Sequence, residues 1–290
     1  MNKAIQTYTK DTVISKDGTR IGYRQMGSGP GLILLHGGIN ASQHLMKLGT
    51  ALADSFTVYI PDRRGRGMSG PFGSNYCIER EDEDLDALLQ KTGAHYVFGT
   101  ADGALFALHA AITLPAIHKI VAYEPVLFVG QSKLAEFEEI IQRYERQMAR
   151  SNPAGAIVSV SRDGNQSPII NFIPDFLIVP FAEMLLSIEA RTARGDNVPL
   201  KELIPTMHFE FQLVRQTEGT LENYRQVNAE VLLLFGGKSD ALFKECITTL
   251  NSVLPHAKSV ELEGLNHGSA QDYGKPELIA REIRRFLQEA

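Results

Sequence analysis

Along most of the chain, short unbroken apolar runs alternate with stretches whose apolar positions recur every three or four residues. The runs are GLILLHG (31–37), TVYIPD (57–62), YVFGT (96–100), KIVAYEP (119–125) and EVLLLFGG (230–237), and a further strand, KSVELEG (258–264), comes after them. A strand that is apolar at nearly every position is covered on both faces, as a parallel strand between two layers of helices is. Helical periodicity follows around 42–53, 77–91 and 102–113, again after 237, and at the C-terminus. The pattern predicts repeated strand–helix units and therefore an α/β protein with a doubly wound, mostly parallel sheet. Ahead of the first unit, DTVIS and RIGYRQM read as two strands joined by the turn Lys16-Asp17-Gly18-Thr19.

The alternation stops at Glu124-Pro125 and resumes at Glu230. Between them lie LAEFEEIIQRYERQMAR, PAGAIVSVSRD and FLIVPFAEMLLSIEARTAR, helical in periodicity and cut into pieces by Pro153, Pro168, Pro174 and Pro180. The expected division is a core of residues 1–125 and 229–290 with a mostly helical cap at 126–228. An insertion at the carboxyl ends of parallel strands lies over the crevice where such sheets bind ligands.

Composition narrows the picture. With 290 residues, 43% hydrophobic and 22% charged, the chain suits one compact domain with an insertion. A net charge of −5 gives no support to nucleic-acid or anionic-membrane partners. No apolar run approaches the roughly 20 residues of a membrane span, and the first residues lack the apolar stretch of a signal peptide, so a cytoplasmic location is expected. Cys77 and Cys246 are too few and too far apart for a disulfide framework or a zinc site and read as free thiols. No cofactor and no metal are expected.

The candidate chemistry stands at the strand ends. In chain order these are His36-Gly37-Gly38, then Asp62-Arg63-Arg64-Gly65-Arg66-Gly67-Met68-Ser69, then Gly99-Thr100-Ala101-Asp102-Gly103 running straight into a helix. They are followed by Gly236-Gly237-Lys238-Ser239-Asp240 and Gly264-Leu265-Asn266-His267-Gly268. A sharp strand-to-helix turn needs small residues on either side of its tip, which Gly99 and Gly103 supply. The tip then projects at the start of a helix, where free N–H groups favour developing negative charge.

Together and in this order, these motifs resemble the α/β-hydrolase superfamily over nearly the whole chain. Gly99–Gly103 is similar to that family's G-x-S-x-G nucleophile elbow, with Ala101 where the family has serine. The resemblance implies a triad of the Ala101 position, Asp240 and His267, in the family's chain order of nucleophile, acid and base. Glu124, at the end of the sixth strand, is the rival acid, with Asp240 preferred on position. The implied oxyanion hole is made by the backbone N–H groups of Gly38 and Asp102. The Asp62–Ser69 stretch resembles a family loop and reads as scaffolding, because Ser69 lacks the elbow's spacing and following helix.

Large apolar residues of the cap, Phe172, Phe176 and Phe209 foremost, are expected to roof a cleft for a bulky apolar substrate. The implied function is that of a serine-type carboxylic ester hydrolase, an esterase or lactonase, with a macrolide-like macrocyclic lactone as one substrate by analogy. Ala101 leaves three readings: an inactivated hydrolase, which is preferred because the rest of the site is intact; a natural ligand-binding pseudoenzyme; or a cofactor-independent oxygenase or lyase run by His267 and Asp240. The expected partner is a small-molecule ester or lactone.

Overall fold

In the computed structural model, which describes residues 7–127, 131–163 and 172–289, two leading strands, the five apolar runs and the strand after them form one sheet. They are β1 (Thr9–Ile14), β2 (Arg20–Gly27), β3 (Gly31–Leu35), β4 (Thr57–Pro61), β5 (Tyr96–Thr100), β6 (Lys119–Tyr123), β7 (Glu230–Gly236) and β8 (Ala257–Leu262). Their order across the sheet is β1-β2-β4-β3-β5-β6-β7-β8. β1 and β2 pair antiparallel, as do β2 and β4, and every later pairing is parallel. This is the doubly wound, mostly parallel α/β sheet that the pattern predicts.

The helices are α1 (Met46–Leu52), α2 (Ile78–Thr92), α3 (Asp102–Ala110), α4 (Gln131–Ala149), α5 (Pro153–Asp163), α6 (Asp175–Thr192), α7 (Leu200–Leu203), α8 (Met207–Gln216), α9 (Ala241–Val253) and α10 (Pro276–Gln288). Because side chains alternate across a strand, each apolar run feeds two cores. Ile33, Val97, Ile120, Ala122 and Leu233 point to one face, where Leu88 of α2, Phe106 of α3 and Leu250 of α9 cover them. Leu32, Leu34, Phe98, Val121 and Leu234 point to the other, against Leu48 of α1 and Ile283 of α10. The runs are continuous in sequence because both faces are buried.

Helices α4 to α8 fill the interval between β6 and β7 and have a core of their own, built on Ile141, Tyr144, Leu186, Ile204 and Phe211. Of the expected helix breakers, Pro153 opens α5 and Pro174 stands just before α6. Pro180 lies inside α6 without ending it; so near the helix start it removes one N–H bond, and the helix runs on. Pro168 lies outside the described residues.

One topological fact positions the site. β3 has β4 on one side and β5 on the other, so the chain reverses its direction of winding there. The loops leaving β3 and β5 diverge at that point and open a crevice at the carboxyl edge of the sheet.

Candidate active site

The turn after β5 has the geometry its glycines suggest. Ala101 sits at φ 52° and ψ −121° between the strand and α3, a backbone region that side-chain-bearing residues rarely adopt and that costs about 1–3 kcal/mol. Its N–H bonds to Tyr123 O at 3.0 Å, tying the tip to β6. A Cβ on Gly99 would stand 2.3 Å from Gly103 O, and one on Gly103 would stand 2.5 Å from Leu35 O, so neither position admits a side chain. A Cβ on Gly37 would meet the Ala101 Cβ at 2.8 Å, which places the loop after β3 directly against the tip.

His267 follows β8 in a short 3-10 turn, His267–Ala270. The Tyr123 hydroxyl donates to Asn266 O at 2.6 Å and anchors that loop to β6. The ring is held in two directions. Its Nδ1 lies 2.8 Å from Glu124 Oε2, and Phe243 of α9 stacks on its face with ring centroids 4.2 Å apart and planes 13° apart. With Nδ1–H given to the carboxylate, Nε2 is the nitrogen left to accept a proton.

The acid beside His267 is therefore Glu124, and the preferred Asp240 is elsewhere. Asp240 is the N-cap of α9, its Oδ1 accepting the Leu242 N–H at 2.9 Å. Glu124 is fully buried. Its Oε1 accepts the Gly236 N–H at 2.7 Å and the Ser239 hydroxyl, while Oε2 faces the imidazole. The loop expected to supply the acid thus supplies a donor that holds the acid instead. Ser239 lies in the motif read for Asp240 but carried no role of its own there, and Phe243 belongs to no motif.

A second cluster underlies the oxyanion loop. Gly38 lies against the Asp102 side chain, where an added Cβ would meet Oδ2 at 2.8 Å. Asp102 is buried against Glu210 of α8, which takes Arg63 Nη2 at 3.0 Å on one oxygen and Arg66 on the other. Arg63 also grips Glu81 of α2 at 2.9 Å. Burial, and then the charge of Glu210, push the Asp102 carboxyl up to about 8. Burial works against ionised Glu210, but Arg63 and Arg66 outweigh it and hold that carboxyl low. The two carboxyls thus keep one proton between them, on Asp102. The helical segment is fastened to the core at this point, beside the elbow.

The neighbouring motifs are structural in their contacts. His36 is fully buried and kept neutral by burial and by the charges of Arg66 and Arg63. Its Nε2 accepts the Arg63 N–H at 3.2 Å, stapling the loops after β3 and β4. Asp62 accepts the Ser42 N–H at 2.8 Å and the Met68 N–H at 3.0 Å. The Ser69 hydroxyl donates to Asp62 O and accepts the Gly22 N–H, leaving it tied into the loop.

The aromatic roof takes a different form from the expected one. Phe172 and Phe176 are 87% and 75% exposed and face solvent. Phe209 instead stacks on Phe72 at 4.0 Å, packing α8 onto the loop after β4. A cavity of about 650 Å³ opens between residues 65–72 and 195–202; its lining includes Arg66, Phe72, Asp196 and Asn197 but neither Ala101 nor His267. Both cysteines are free thiols. Among the described residues no cluster of His, Cys, Asp or Glu is arranged to hold a metal ion, and no helix is long and apolar enough to cross a membrane.

Comparison with known proteins agrees with this fold. The sequence profile of the alpha/beta hydrolase family matches residues 32–282. The uncharacterized hydrolase YraK of Bacillus subtilis is 34% identical over 115 residues, 38% of this chain and 42% of that protein, so the match spans less than half of that relative. The 2-(acetamidomethylene)succinate hydrolase of Mesorhizobium japonicum is 24% identical over 280 residues, 91% of this chain and 90% of that one. Among solved structures, an alpha/beta hydrolase from Sphaerobacter thermophilus matches with a TM-score of 0.74 and 25% identity, covering 96% of this chain and all of its own.

Proposed function

The chain belongs to the alpha/beta hydrolase family, and from that premise we propose that its site is built to hydrolyse carboxylic esters, lactones included, through a serine at position 101. Ala101 then marks an inactivated form of that enzyme. The observation that carries this reading is the His267–Glu124 pair standing ready behind a strained elbow whose tip has nothing to offer it.

With serine at the tip, His267 Nε2 takes the hydroxyl proton as Oγ attacks the ester carbonyl. Glu124, fixed by Gly236 and Ser239, keeps Nδ1–H in place and stabilises the imidazolium that forms. The Gly38 and Asp102 N–H groups receive the oxyanion. His267 then protonates the departing alkoxide, and a water activated by the same nitrogen releases the acid. The acid of the triad is thus Glu124 rather than the Asp240 of the first expectation.

Macrocyclic lactones of the macrolide type remain within the proposed substrate class by resemblance. The outward-facing Phe172 and Phe176 lend them no support. The test is Ala101→Ser, assayed against p-nitrophenyl esters and a panel of macrocyclic lactones and treated with a fluorophosphonate probe. Ester turnover and covalent labelling at position 101 are expected. A folded Ala101→Ser protein that reacts with neither would overturn the reading and leave a ligand-binding pseudoenzyme.

A further inference from the structure

The oxyanion hole proposed above draws on two residues, Gly38 after β3 and Asp102 at the start of α3. A helix leaves its first N–H groups without partners inside the helix, so the Asp102 N–H is available to a ligand. Both residues are held from outside their own loops. The Asp102 side chain is hydrogen-bonded to Glu210 of α8. The Gly38 carbonyl accepts the Asn40 side-chain amide at 2.8 Å, and the Asn40 carbonyl accepts Arg66 Nη1 at 3.0 Å. Arg66 Nη2 in turn donates to Glu210. Both paths end on one carboxylate. They also meet at Gly38, where an added Cβ would stand 2.8 Å from Asp102 Oδ2 and 3.4 Å from Glu210 Cγ.

We propose, on the ester-hydrolase reading above, that Glu210 is a positioning residue for the reaction: from the helical segment it fixes both residues of the oxyanion hole, Asp102 directly and Gly38 through Arg66 and Asn40. Anchoring the helical segment does not account for the cluster. Arg63, Arg66, Asp102 and Glu210 are all buried, and apolar packing of similar volume generally stabilises as well as a buried ionic cluster or better. Uncharged contacts already tie the segment down. Gln43 bonds both the Val198 N–H, at 2.7 Å, and its carbonyl, at 2.8 Å, and Phe209 stacks on Phe72. What the charged cluster adds is a fixed place for two backbone donors, and donors fixed in advance are what stabilise an oxyanion.

Charge points the same way. Glu210 carries the negative charge that faces Arg63 and Arg66, and Asp102, whose own N–H serves the hole, keeps the proton and stays neutral. The further groups around the cluster are Glu81 of α2, Tyr76 just before that helix and His36 after β3. With glutamine at position 210, Arg63 and Arg66 draw the charge onto Asp102 and set it beside the developing oxyanion.

The experiment follows p-nitrophenyl ester hydrolysis by the Ala101→Ser protein from about pH 6 to about pH 9, with kcat counted per site titrated by a fluorophosphonate. In this parent, kcat is expected to decline as pH rises past about 8, where Asp102 ionises. Glu210→Gln should lower kcat near neutral pH on the order of 10²-fold with KM little changed, and should lack that alkaline decline. Asn40→Ala, which leaves the charged cluster whole, should lower kcat about tenfold. Added to Glu210→Gln it should cost less than it does alone, because the path to Gly38 is already broken. An unchanged kcat per titrated site in Glu210→Gln, with only the urea midpoint lowered, would make Glu210 an anchor and overturn the proposal. Should Glu210→Gln not fold, an unchanged kcat in Asn40→Ala would overturn it, as would strictly additive losses in the double variant. An Ala101→Ser parent that turns over no ester overturns the hydrolase reading itself, whereas an active parent indifferent to Glu210→Gln overturns this inference alone.

Discussion

Replacing Glu124 by glutamine in the Ala101→Ser protein changes one oxygen into an NH2 group, and the structure dictates which one. Oε1 accepts the Gly236 N–H at 2.7 Å and the Ser239 hydroxyl. A glutamine must keep its oxygen there, because an NH2 group would face two donors. Its NH2 then points at His267 Nδ1, where Oε2 stood at 2.8 Å. Facing a donor, Nδ1 gives up its hydrogen and the proton moves to Nε2. The imidazole then presents N–H to the serine and cannot take its proton.

The expected loss in kcat is on the order of 10³–10⁴-fold, or about 4–5.5 kcal/mol of transition-state stabilisation, with KM little changed. Asp240→Asn is the matched control. Asparagine caps a helix about as well as aspartate, so both stability and kcat should stay near those of the parent. Steady-state hydrolysis of a p-nitrophenyl ester by the three proteins gives both numbers. A large loss in Asp240→Asn together with an active Glu124→Gln would refute the reasoning and return the acid to the loop after β7.

Three further outcomes follow from the same contacts. The chain with Ala101 should turn over esters on the order of a millionfold more slowly than Ala101→Ser, and comparable rates in a side-by-side assay would mean that position 101 is not the nucleophile's. Gly103→Ala puts a Cβ 2.5 Å from Leu35 O and should cost about 3 kcal/mol or more, so an unchanged urea midpoint would contradict the close approach of β3 to the elbow. Asp102, pushed up to about 8 from its ordinary 3.8 by burial and by Glu210, keeps in the folded chain a proton that the unfolded chain has released between those values. Its contribution to stability is therefore lost as pH rises through that window. Asp102→Asn, which can still donate to Glu210, should flatten the decline in urea midpoints measured from about pH 5 to about pH 8.

The sheet was legible because its signal is redundant. Every central strand is buried on both faces, so each announces itself as an unbroken apolar run, and the helices between them carry amphipathic stripes. The elbow was legible for a related reason, since Gly99 and Gly103 are fixed by backbone contacts that no other residue tolerates. The helical segment was legible only as helices. Whether Phe172 or Phe176 faces a cleft or solvent depends on how α6 sits against α5 and α7, and periodicity gives a helix an apolar face without saying what that face meets. Glu210 was missed because its partners Arg63, Arg66 and Asp102 are scattered along the chain and meet only after folding.

The position of the acid turns on two adjacent strand ends. β6 and β7 run in parallel with Tyr123 opposite Leu234, and the Glu124 N–H bonds to Leu234 O at 2.9 Å. Glu124 therefore stands beside the end of β7, where a Cβ on Gly236 would lie 2.3 Å from Leu265 O. The His267 loop thus rests on the end of β7, within reach of a carboxylate coming across from β6. Asp240 lies farther along, where the chain has already turned into α9, and its carboxylate is taken up by the Leu242 N–H in that helix's first turn, the usual role of aspartate at a helix start. That much could be read from Ser-Asp preceding a helical stretch. What could not be read is the backbone at Glu124, with φ 49°. A residue before proline is ordinarily pushed to extended geometry, and a strained conformation of this kind persists only where its surroundings over-determine it. Three donors converging on one buried carboxylate supply that determination, and a junction between sheet and helices has no need of it unless the carboxylate must meet an imidazole.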